Sequence, residues 1–438
     1  MIAVCELQCK GISHEKVNSG FLHGLLLAYP KEEISFFAEQ THFQALKRIF
    51  NNSKTNFKNI KLVKINFNAN KSFSFEGIVS YYLLIKKIFN KLLSFGENRI
   101  FFLSNSPIIL YVVKKLKQQK KYKNINCTFV LHGELEDIAT KKYKKPYIPV
   151  ISNRPVAASI RIIIPKLLEN PKRTFSFLVK TLIQPLAQLY SQYSLIFKRK
   201  FRTKKMMMWQ HSNQYNYISM SPHVTENAKK YINTDHLNFH TIVLPIIFAK
   251  PDVMPNNKFI KFAVFGYGDS AQMNKMLTTL SKKKITKSYE IKIISMDSRG
   301  TEEFPNITRL SRGNVLTRVE MEKAAQDVDV FINLYDRTRH RFGCSLSILE
   351  AFSYLKPVLH LSNPGYDYFN KPNKPIGFKV NNLDEFVEKM VDLIENYPRC
   401  RKGLKIFRNN MLEYRKKYAI ENNLEKLKRS FTFKASSL

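Results

Sequence analysis

Short apolar runs alternate, in the first third of the chain, with longer segments whose apolar positions recur every three or four residues. The short runs are typical of buried β-strands and the longer segments of amphipathic α-helices. The predicted strands are MIAVCEL, EISFFAE, IKLVKINF, RIFFLS and CTFVLHG, and the helices between them lie near 17–29, 41–50, 77–94 and 106–119. This alternation predicts βαβ units and a parallel sheet with helices on both faces.

The alternation lapses between residues 141 and 214 and then resumes, with a second complete series after residue 259. Between the two series, PIIFAKPDVMPNNK carries three prolines, which is typical of an interdomain linker. We therefore predict two doubly wound, Rossmann-like α/β domains that face each other across a cleft. The N-terminal domain is predicted to span 1–245 and to contain a basic insertion at 141–214. A linker at 246–258, a C-terminal domain at 259–405 and a charged helical tail at 406–438 follow.

Composition supports a folded chain with an anionic partner. The 438 residues are 44% hydrophobic, enough for two domain cores, while 72 basic against 34 acidic residues give a formal charge of +38. The five cysteines are scattered and odd in number, which favours reduced thiols in the cytosol. No signal peptide and no spanning apolar run is recognisable, so we predict a cytoplasmic location.

The predicted insertion concentrates the charge. Residues 141–208 contain 16 Lys or Arg against one acidic residue, Glu169, and aromatic residues are interleaved with them. Basic and aromatic side chains together suit an anionic membrane surface, which predicts a peripheral position on the inner membrane. Nucleic acid is the competing partner, because phosphate backbones attract the same charge.

A carboxylate interrupts the apolar segment LSILEAFSYL, which is predicted to be a helix that ends before Lys356-Pro357. Glu350 follows Leu346 by one turn, and Ser345 is placed to cap the helix. The free N–H groups of a first turn bind phosphate, and a nearby carboxylate can accept hydrogen bonds from two sugar hydroxyls. A nucleotide sugar offers both groups; a surface ion pair of Glu350 with Lys or Arg is the alternative.

The segment SLSILEAFSYLKPVL resembles the donor-binding motif of GT-B glycosyltransferases, particularly the glycosyltransferase family 4-like group. The preceding VDVFINLY is similar to the strand that the family has before this loop, whereas the N-terminal half agrees only in architecture. The resemblance implies that Glu350 binds the donor ribose. The commoner family pattern has a second glutamate eight positions earlier, where this sequence has Phe342, so the residues that contact the transferred sugar differ here.

The resemblance also implies roles for loop residues of the C-terminal domain. In VFGYGDS, Gly266 and Gly268 would lie beside the donor diphosphate, and Asn314 belongs to the loop that would contact the nucleobase. Arg339 and Arg341 would neutralise phosphate, with Arg341 stabilising the leaving group. Ordinary helix-entry loops and solvated arginines are the alternatives.

In the first domain, the strand CTFVLHG ends at a histidine that would face the transferred sugar in similar enzymes, although a capped loop histidine is the alternative. That residue is His132. The candidates for the acceptor side are Glu134, in the same loop, and His14, Glu15 and Asn18, in the loop and helix after the first strand.

Asp327-Val328-Asp329 imitates a metal-binding Asp-x-Asp, but it lies at the start of a buried strand, so no metal is predicted. The sequence thus predicts a metal-independent, hexosyltransferase-type glycosyltransferase without a cofactor. It would move a sugar from a nucleotide-sugar donor to a lipid-linked or lipopolysaccharide- or polysaccharide-type acceptor at the cytoplasmic membrane face. The alternative is a non-catalytic, nucleic-acid-binding or scaffold protein that retains the fold.

Overall fold

The structure is a computed structural model of the chain. It describes residues 1–53, 55–66, 75–132, 135, 203–208, 215–235, 237–249, 254–265, 270–294, 304–310, 316, 318–336 and 341–430. Most of the predicted basic insertion lies outside these ranges.

The N-terminal domain is built on a sheet of seven parallel strands in the order β3-β2-β1-β4-β5-β6-β7. The strands are β1 (Ile2–Cys5), β2 (Ile34–Ala38), β3 (Ile60–Lys64), β4 (Arg99–Phe102), β5 (Asn126–Leu131), β6 (Tyr215–Ser219) and β7 (Asn238–Thr241). The described helices of this domain are α1 (Glu15–Ala28), α2 (Gln40–Asn52), α3 (Phe75–Ser94), α4 (Pro107–Lys117), α5 (Thr203–Met208) and α6 (Pro222–Lys229).

Alternate residues of the central strands fill two cores, as a sheet covered on both faces requires. In β1, Ile2 and Val4 pack with α1 and α2 on one face. Ala3 and Cys5 pack with α3 and α4 on the other face. The apolar runs of β1 and β2 are therefore continuous, whereas edge strand β3, with the sequence IKLVK, mixes apolar and polar residues.

The C-terminal domain repeats the architecture with six parallel strands in the order β10-β9-β8-β11-β12-β13. The strands are β8 (Ile260–Phe265), β9 (Tyr289–Ile294), β10 (Ile307–Arg309), β11 (Val330–Asn333), β12 (Val358–Leu361) and β13 (Gly377–Val380). The described helices are α7 (Ser270–Ser281), α8 (Arg318–Gln326), α9 (Leu346–Tyr354), α10 (Pro364–Asp367), α11 (Leu383–Glu395), α12 (Tyr397–Tyr418) and α13 (Leu424–Arg429).

The prediction of two doubly wound parallel-sheet domains is confirmed. The sequence analysis did not predict α5, which lies where the alternation was expected to lapse, nor β13 and α10. Strand β13 has the sequence GFKV, which is too short and too mixed to stand out as an apolar run. Helix α12 runs without a break through residues 405 and 406, where the sequence analysis placed the start of a tail.

The end of the chain returns to the N-terminal domain. The carbonyl oxygen of Ser430 accepts hydrogen bonds from Asn216 Nδ2 at 2.7 Å and from Thr128 Oγ1 at 3.2 Å. Helix α1 has a glycine, Gly24, where this returning segment crosses it, and a Cβ there would lie 2.8 Å from the side chain of Ile420. The two domains are thus joined both by the linker and by the returning chain.

One apolar core extends through both domains. It contains Phe21 of α1 and Phe352 of α9, together with the buried residues Ile242–Leu244 and Ile246 that follow β7. The linker is fixed to α9, because Ala249 N donates to Ser353 Oγ at 2.7 Å. The site between the domains is therefore held by packing as well as by polar contacts.

Candidate active site between the domains

Both strand orders reverse direction at one point, between β1 and β4 in the first sheet and between β8 and β11 in the second. Ligands of doubly wound sheets bind outside the carboxyl ends of the strands at this point. Helix α1 follows β1, and helix α9 follows β11, so the first turns of these two helices belong to the predicted cleft.

The first turn of α9 is formed as the sequence predicts, except for its cap. Ser345 occupies the N-cap position and Leu346 is the first helical residue, but the Ser345 side chain makes no capping hydrogen bond. Its hydroxyl instead lies 2.7 Å from Ser347 Oγ, which in turn lies 2.7 Å from the Tyr366 hydroxyl. The prediction of a side-chain cap is wrong, because the Ser345 hydroxyl is hydrogen-bonded to Ser347 instead. Ser347 Oγ also accepts a hydrogen bond from Asn333 Nδ2.

Glu350 is buried in the second turn of α9, with 3% of its surface exposed. Its carboxylate forms an ion pair with Lys16 Nζ, from the first turn of α1 in the other domain. The same Nζ lies 3.5 Å from Met321 Sδ and 5.4 Å from the centre of the Phe265 ring. Glu350 therefore does pair with a lysine, but between the domains and away from solvent. Sequence analysis missed Lys16.

The loop before α9 contacts the N-terminal domain. Phe342, at the position of the family's other glutamate, is 1% exposed and joins the core on the α3 and α4 face of the first sheet. Its ring meets the Tyr231 ring edge-on at 5.6 Å. Asn227 Nδ2 donates to the carbonyl oxygen of Arg341 at 2.8 Å. This position thus supplies an apolar interdomain contact instead of a carboxylate.

His132 directly follows β5, and its ring lies 4.9 Å from that of His14 between their centres. Its Nε2 lies 2.6 Å from the carbonyl oxygen of Leu103, which can only accept, so Nε2 carries the proton. Burial and the neighbouring His14 lower the pKa of His132 to about 4. The ring is therefore neutral near pH 7, with Nδ1 as a hydrogen-bond acceptor. His14 itself precedes α1 in a left-handed conformation, with φ of 53°.

A buried polar network lies at the end of β1. Glu6 Oε2 accepts from Ser104 Oγ at 2.7 Å and from Asn18 Nδ2 at 2.8 Å, and Asn18 Nδ2 also lies 3.0 Å from His42 Nε2. His42 Nδ1 lies 2.8 Å from the carbonyl oxygen of Gly11, so Nδ1 is the donor and Nε2 accepts from Asn18. Burial raises the pKa of Glu6, but hydrogen bonds from Ser104 and from the Gln8 backbone outweigh burial and lower it.

The network fixes the orientation of the Asn18 amide. Both partners of Nδ2 are acceptors, so the oxygen Oδ1 must point elsewhere, and it is buried without a hydrogen-bond partner among the described residues. Asn105, which follows β4, is 1% exposed, and neither polar atom of its side-chain amide has a partner in the part of the chain that the structure describes. Sequence reasoning proposed Asn18 but missed Glu6, His42 and Asn105, because residues distant in sequence form this network.

The other candidates are partly outside the described residues. Glu15 is the first residue of α1, and Arg341 lies in the loop before α9, five residues before its first residue. The remaining five lie outside the described ranges: Gly266, Gly268, Asn314, Arg339 and Glu134.

The Asp-x-Asp segment lies at the amino end of β11, at the opposite edge of the sheet from the cleft. Asp327 pairs with Lys261 at 2.8 Å and with Lys292. Asp329 accepts from Tyr397 OH at 2.6 Å and from Asn257 Nδ2 at 2.9 Å. These contacts give both carboxylates a structural role.

Within the described ranges, no helix has the length and apolar character needed to cross a bilayer.

No protein-family model matches the sequence, and no curated protein matches it. Solved structures do match over the whole chain. They include the apo form of the lipopolysaccharide outer core galactosyltransferase WaaB, with a TM-score of 0.56 and 12% identity over 98% of each chain. A glycosyltransferase from Rickettsia africae gives a TM-score of 0.57 and 11% identity over 100% of this chain and 99% of that one.

A third match is a TarM variant from S. aureus, solved with fondaparinux, alpha-GlcNAc-glycerol and UDP. Its TM-score is 0.55, with 10% identity over 99% of this chain and 100% of that one. Together these likenesses show that the chain has the GT-B fold of these glycosyltransferases, so the predicted fold is confirmed. The narrower resemblance to the family 4-like group stays a prediction.

Proposed function

We propose that this protein is a glycosyltransferase that moves a sugar from a nucleotide-sugar donor to a glycan or lipid-linked acceptor. The observation that carries the proposal is Glu350, a carboxylate buried in the second turn of α9, the helix that follows β11 at the switch point of the second sheet. The GT-B fold supports it, because the similar structures are of glycosyltransferases and one of them holds UDP.

In this proposal the donor occupies the C-terminal side of the cleft. Glu350 accepts hydrogen bonds from the ribose hydroxyls, and the free N–H groups around Ser345 and Leu346 bind the diphosphate. Gly266 and Gly268 would approach the diphosphate closely, and Asn314 would contact the base.

Charge that develops on the leaving diphosphate would be stabilised by the amino end of α9, by Arg339 and by Arg341, which is a preorganised electrostatic role. His132 would contact the transferred sugar from the N-terminal side of the cleft.

The acceptor would bind on the N-terminal side. Asn18 Oδ1, which has no hydrogen-bond partner within the described ranges, can accept a hydrogen bond from a hydroxyl of the acceptor. His14, Glu15 and Glu134 complete the proposed acceptor side. A lipopolysaccharide- or polysaccharide-type acceptor fits the names of the similar enzymes, and a position on the cytoplasmic face of the inner membrane fits the charge of +38.

The test is thermal stabilisation by UDP-, GDP- and CMP-sugars, compared with oligonucleotides, for the wild type and for Glu350→Gln. A charged hydrogen-bond acceptor contributes roughly 1.5–3 kcal/mol, so the variant should bind the donor at least about tenfold more weakly. The matched control is Glu388→Gln, which removes an exposed carboxylate paired with Lys283. Stabilisation by oligonucleotides alone would favour the nucleic-acid-binding alternative, which the basic charge makes physically reasonable.

The membrane part of the proposal has its own test. The variant changes five basic residues to Gln: Lys198, Arg199, Lys200, Lys204 and Lys205. Each contributes about 1 kcal/mol of attraction to anionic lipid, partly screened by salt, so binding to phosphatidylglycerol vesicles should fall by orders of magnitude. The control removes the same charge from exposed positions of α12 and α13: Lys402, Lys405, Lys416, Lys417 and Lys426. Equal losses in both variants would mean that net charge, and not the insertion, governs binding, and a wild type that fails to bind at low salt would contradict the membrane position.

A further inference from the structure

Helix α3 has one side that packs into a core and an opposite side that is exposed. The buried residues recur every three or four positions and pack on the side of α4: Tyr81, Ile85, Ile88, Phe89 and Leu92. On the opposite side, Val79 and Leu83 lie one turn apart and are 40% and 60% exposed. The same side continues with the exposed residues Lys87 and Lys91. These four residues form what we call the α3 face, which combines aliphatic and basic side chains.

The charge around the α3 face is almost entirely positive. Residues 75–131 contain ten Lys or Arg and two acidic residues, Glu76 in the first turn of α3 and Glu97 after its end. Glu97 is 8% exposed and pairs with Arg99, so it does not offset the charge of the surface lysines. The complementary partner is therefore anionic.

A lysine-rich turn extends this basic surface beside α3. The Tyr122 hydroxyl donates to Asn90 Oδ1 at 2.8 Å, which holds the turn against the helix. The exposed lysines of the turn are Lys120, Lys121 and Lys123. Within the described part of the chain, neither these lysines nor those of the α3 face pair with a carboxylate. Their charge is available to an external anion.

The α3 face lies in the same layer of helices as the end of the predicted basic insertion. Helix α5, at residues 203–208, packs on α4 as α3 does, and Lys114 Nζ of α4 donates to the Met207 carbonyl oxygen at 3.0 Å. Lys204 and Lys205 of α5 are exposed. The α3 face thus continues the surface to which the proposed membrane contact already belongs.

The direction of α3 places its aliphatic residues towards the cleft. The helix connects β3 to β4, and the strands of this sheet are all parallel. A helix in such a connection starts at the carboxyl edge of the sheet and runs back to the amino edge. Val79 and Leu83 are in the first half of α3, so they lie nearer the cleft than Lys87 and Lys91. A bilayer on the α3 face would therefore make its apolar contact on the side of the proposed acceptor.

Lipid accounts for the whole α3 face, whereas nucleic acid accounts for half of it. A phosphate backbone attracts the lysines but gives Val79 and Leu83 no apolar environment. At a membrane surface, aliphatic side chains enter the boundary below the headgroups, and lysine stems lie along it with their ammonium groups at the lipid phosphates.

We propose that the α3 face docks on an anionic bilayer, with Val79 and Leu83 inserted below the headgroups and Lys87 and Lys91 at the lipid phosphates. This inference rests on the membrane part of the proposed function. It assigns lipid contact to residues outside the predicted insertion.

The first test removes the aliphatic contact and keeps the charge. Val79→Thr/Leu83→Gln should weaken binding of the full chain to phosphatidylglycerol vesicles at least about tenfold in co-sedimentation, at low and at high salt alike. The matched control is Ile406→Thr/Leu412→Gln on α12, whose residues are 52% and 43% exposed and which should bind like the wild type.

The second test removes charge and keeps the aliphatic contact. Lys87→Gln/Lys91→Gln should weaken binding to the same vesicles by about tenfold at low salt and by less at high salt, because salt screens this attraction. The control, Lys402→Gln/Lys405→Gln, removes two exposed charges from α12 and should have a smaller effect.

Oligonucleotide binding by the same variants tests the competing partner. The aliphatic variant should bind oligonucleotides like the wild type. If the charge variant loses oligonucleotide binding while the aliphatic variant keeps full vesicle binding, the α3 face serves nucleic acid and the proposal is overturned.

The outcomes separate the α3 face from the proposed function. A wild type that does not bind the vesicles at low salt contradicts the membrane position and the α3 face together. If the wild type binds and the aliphatic variant binds no worse than its α12 control, the membrane position stands and docking through α3 is overturned. Stabilisation by nucleotide sugars should be the same in all four variants, so failure of the donor site is recognised independently.

Urea unfolding shows whether the α3 face is free. All four variants change exposed residues, so their midpoints should match that of the wild type. A midpoint lowered in Val79→Thr/Leu83→Gln but not in its control would mean that the chain itself covers these side chains, and this result also overturns docking through α3.

Discussion

Replacing Phe342 by alanine tests the contact that holds the loop before α9 against the N-terminal domain. The side chain is 1% exposed and packs into a core composed otherwise of N-terminal-domain residues. Truncation of a buried phenylalanine to alanine costs roughly 3–5 kcal/mol. The edge-on partner, Tyr231, is 44% exposed and can move into the vacated space, so we expect a loss near the lower limit.

The stabilisation lost in Phe342→Ala comes from a contact between the two domains and not from a contact within one domain. About 3 kcal/mol corresponds to a factor of roughly a hundred in the equilibrium between docked and undocked arrangements of this loop. We therefore expect a lower midpoint in urea, together with faster tryptic cleavage near Arg341. The hydrogen bond from Asn227 to the Arg341 carbonyl is unchanged by the substitution, so any difference reports the apolar contact.

The matched control is Phe95→Ala. Phe95 follows α3 and is 48% exposed, so its truncation should cost well under 1 kcal/mol. If Phe342→Ala and Phe95→Ala unfold at the same urea concentration and are cleaved at the same rate, the interdomain packing of Phe342 is not present in solution and the argument fails.

Two further predictions concern α1 and His132. Gly20→Ala should destabilise the protein by roughly 1–3 kcal/mol in urea unfolding, because the new Cβ would lie 2.2 Å from the Pro245 carbonyl oxygen. The control Gly403→Ala, in open space on α12, should stabilise the protein by about 0.5–1 kcal/mol. If both substitutions change the free energy of unfolding in the same direction, the close approach at Gly20 is contradicted. For His132, a folded-state pKa near 4 against 6.5 when unfolded means that its stabilising effect is complete above pH 6.5 and is lost as the pH falls towards 4. Wild type should therefore lose stability more steeply than His132→Gln over this interval, and parallel urea midpoints would refute the burial of the neutral ring.

Local patterns in the sequence were enough to predict both sheets. The central strands β1, β4, β8 and β11 are covered on two faces, so each appears as a largely apolar run, and the helices between strands have clear amphipathic spacing. The exception, β13, is four residues long and includes Lys379. Glu350 was also predictable, because a carboxylate within an apolar helix is a local anomaly.

The partners of Glu350 and Phe342 were not predictable in this way. Lys16 is 334 positions from Glu350, and no spacing rule connects them. In the sequence, Phe342 showed only that the second glutamate of the resembled donor-binding pattern was missing. Its packing depends on Tyr231 and on a core of the other domain. Ser345 shows a different limit: a serine at the N-cap position predicts a cap, but Ser347 and Tyr366 offered its hydroxyl other partners.

The interdomain contacts differ greatly in size, and this bears on how the proposed donor site could work. Lys16 and Glu350 form one ion pair, whereas the core through both domains includes Phe21, Phe352 and the segment after β7. The returning chain adds hydrogen bonds from Asn216 and Thr128 to Ser430. A ligand that breaks the ion pair therefore leaves most of the interface intact. It follows that donor binding at the proposed site does not have to separate the domains.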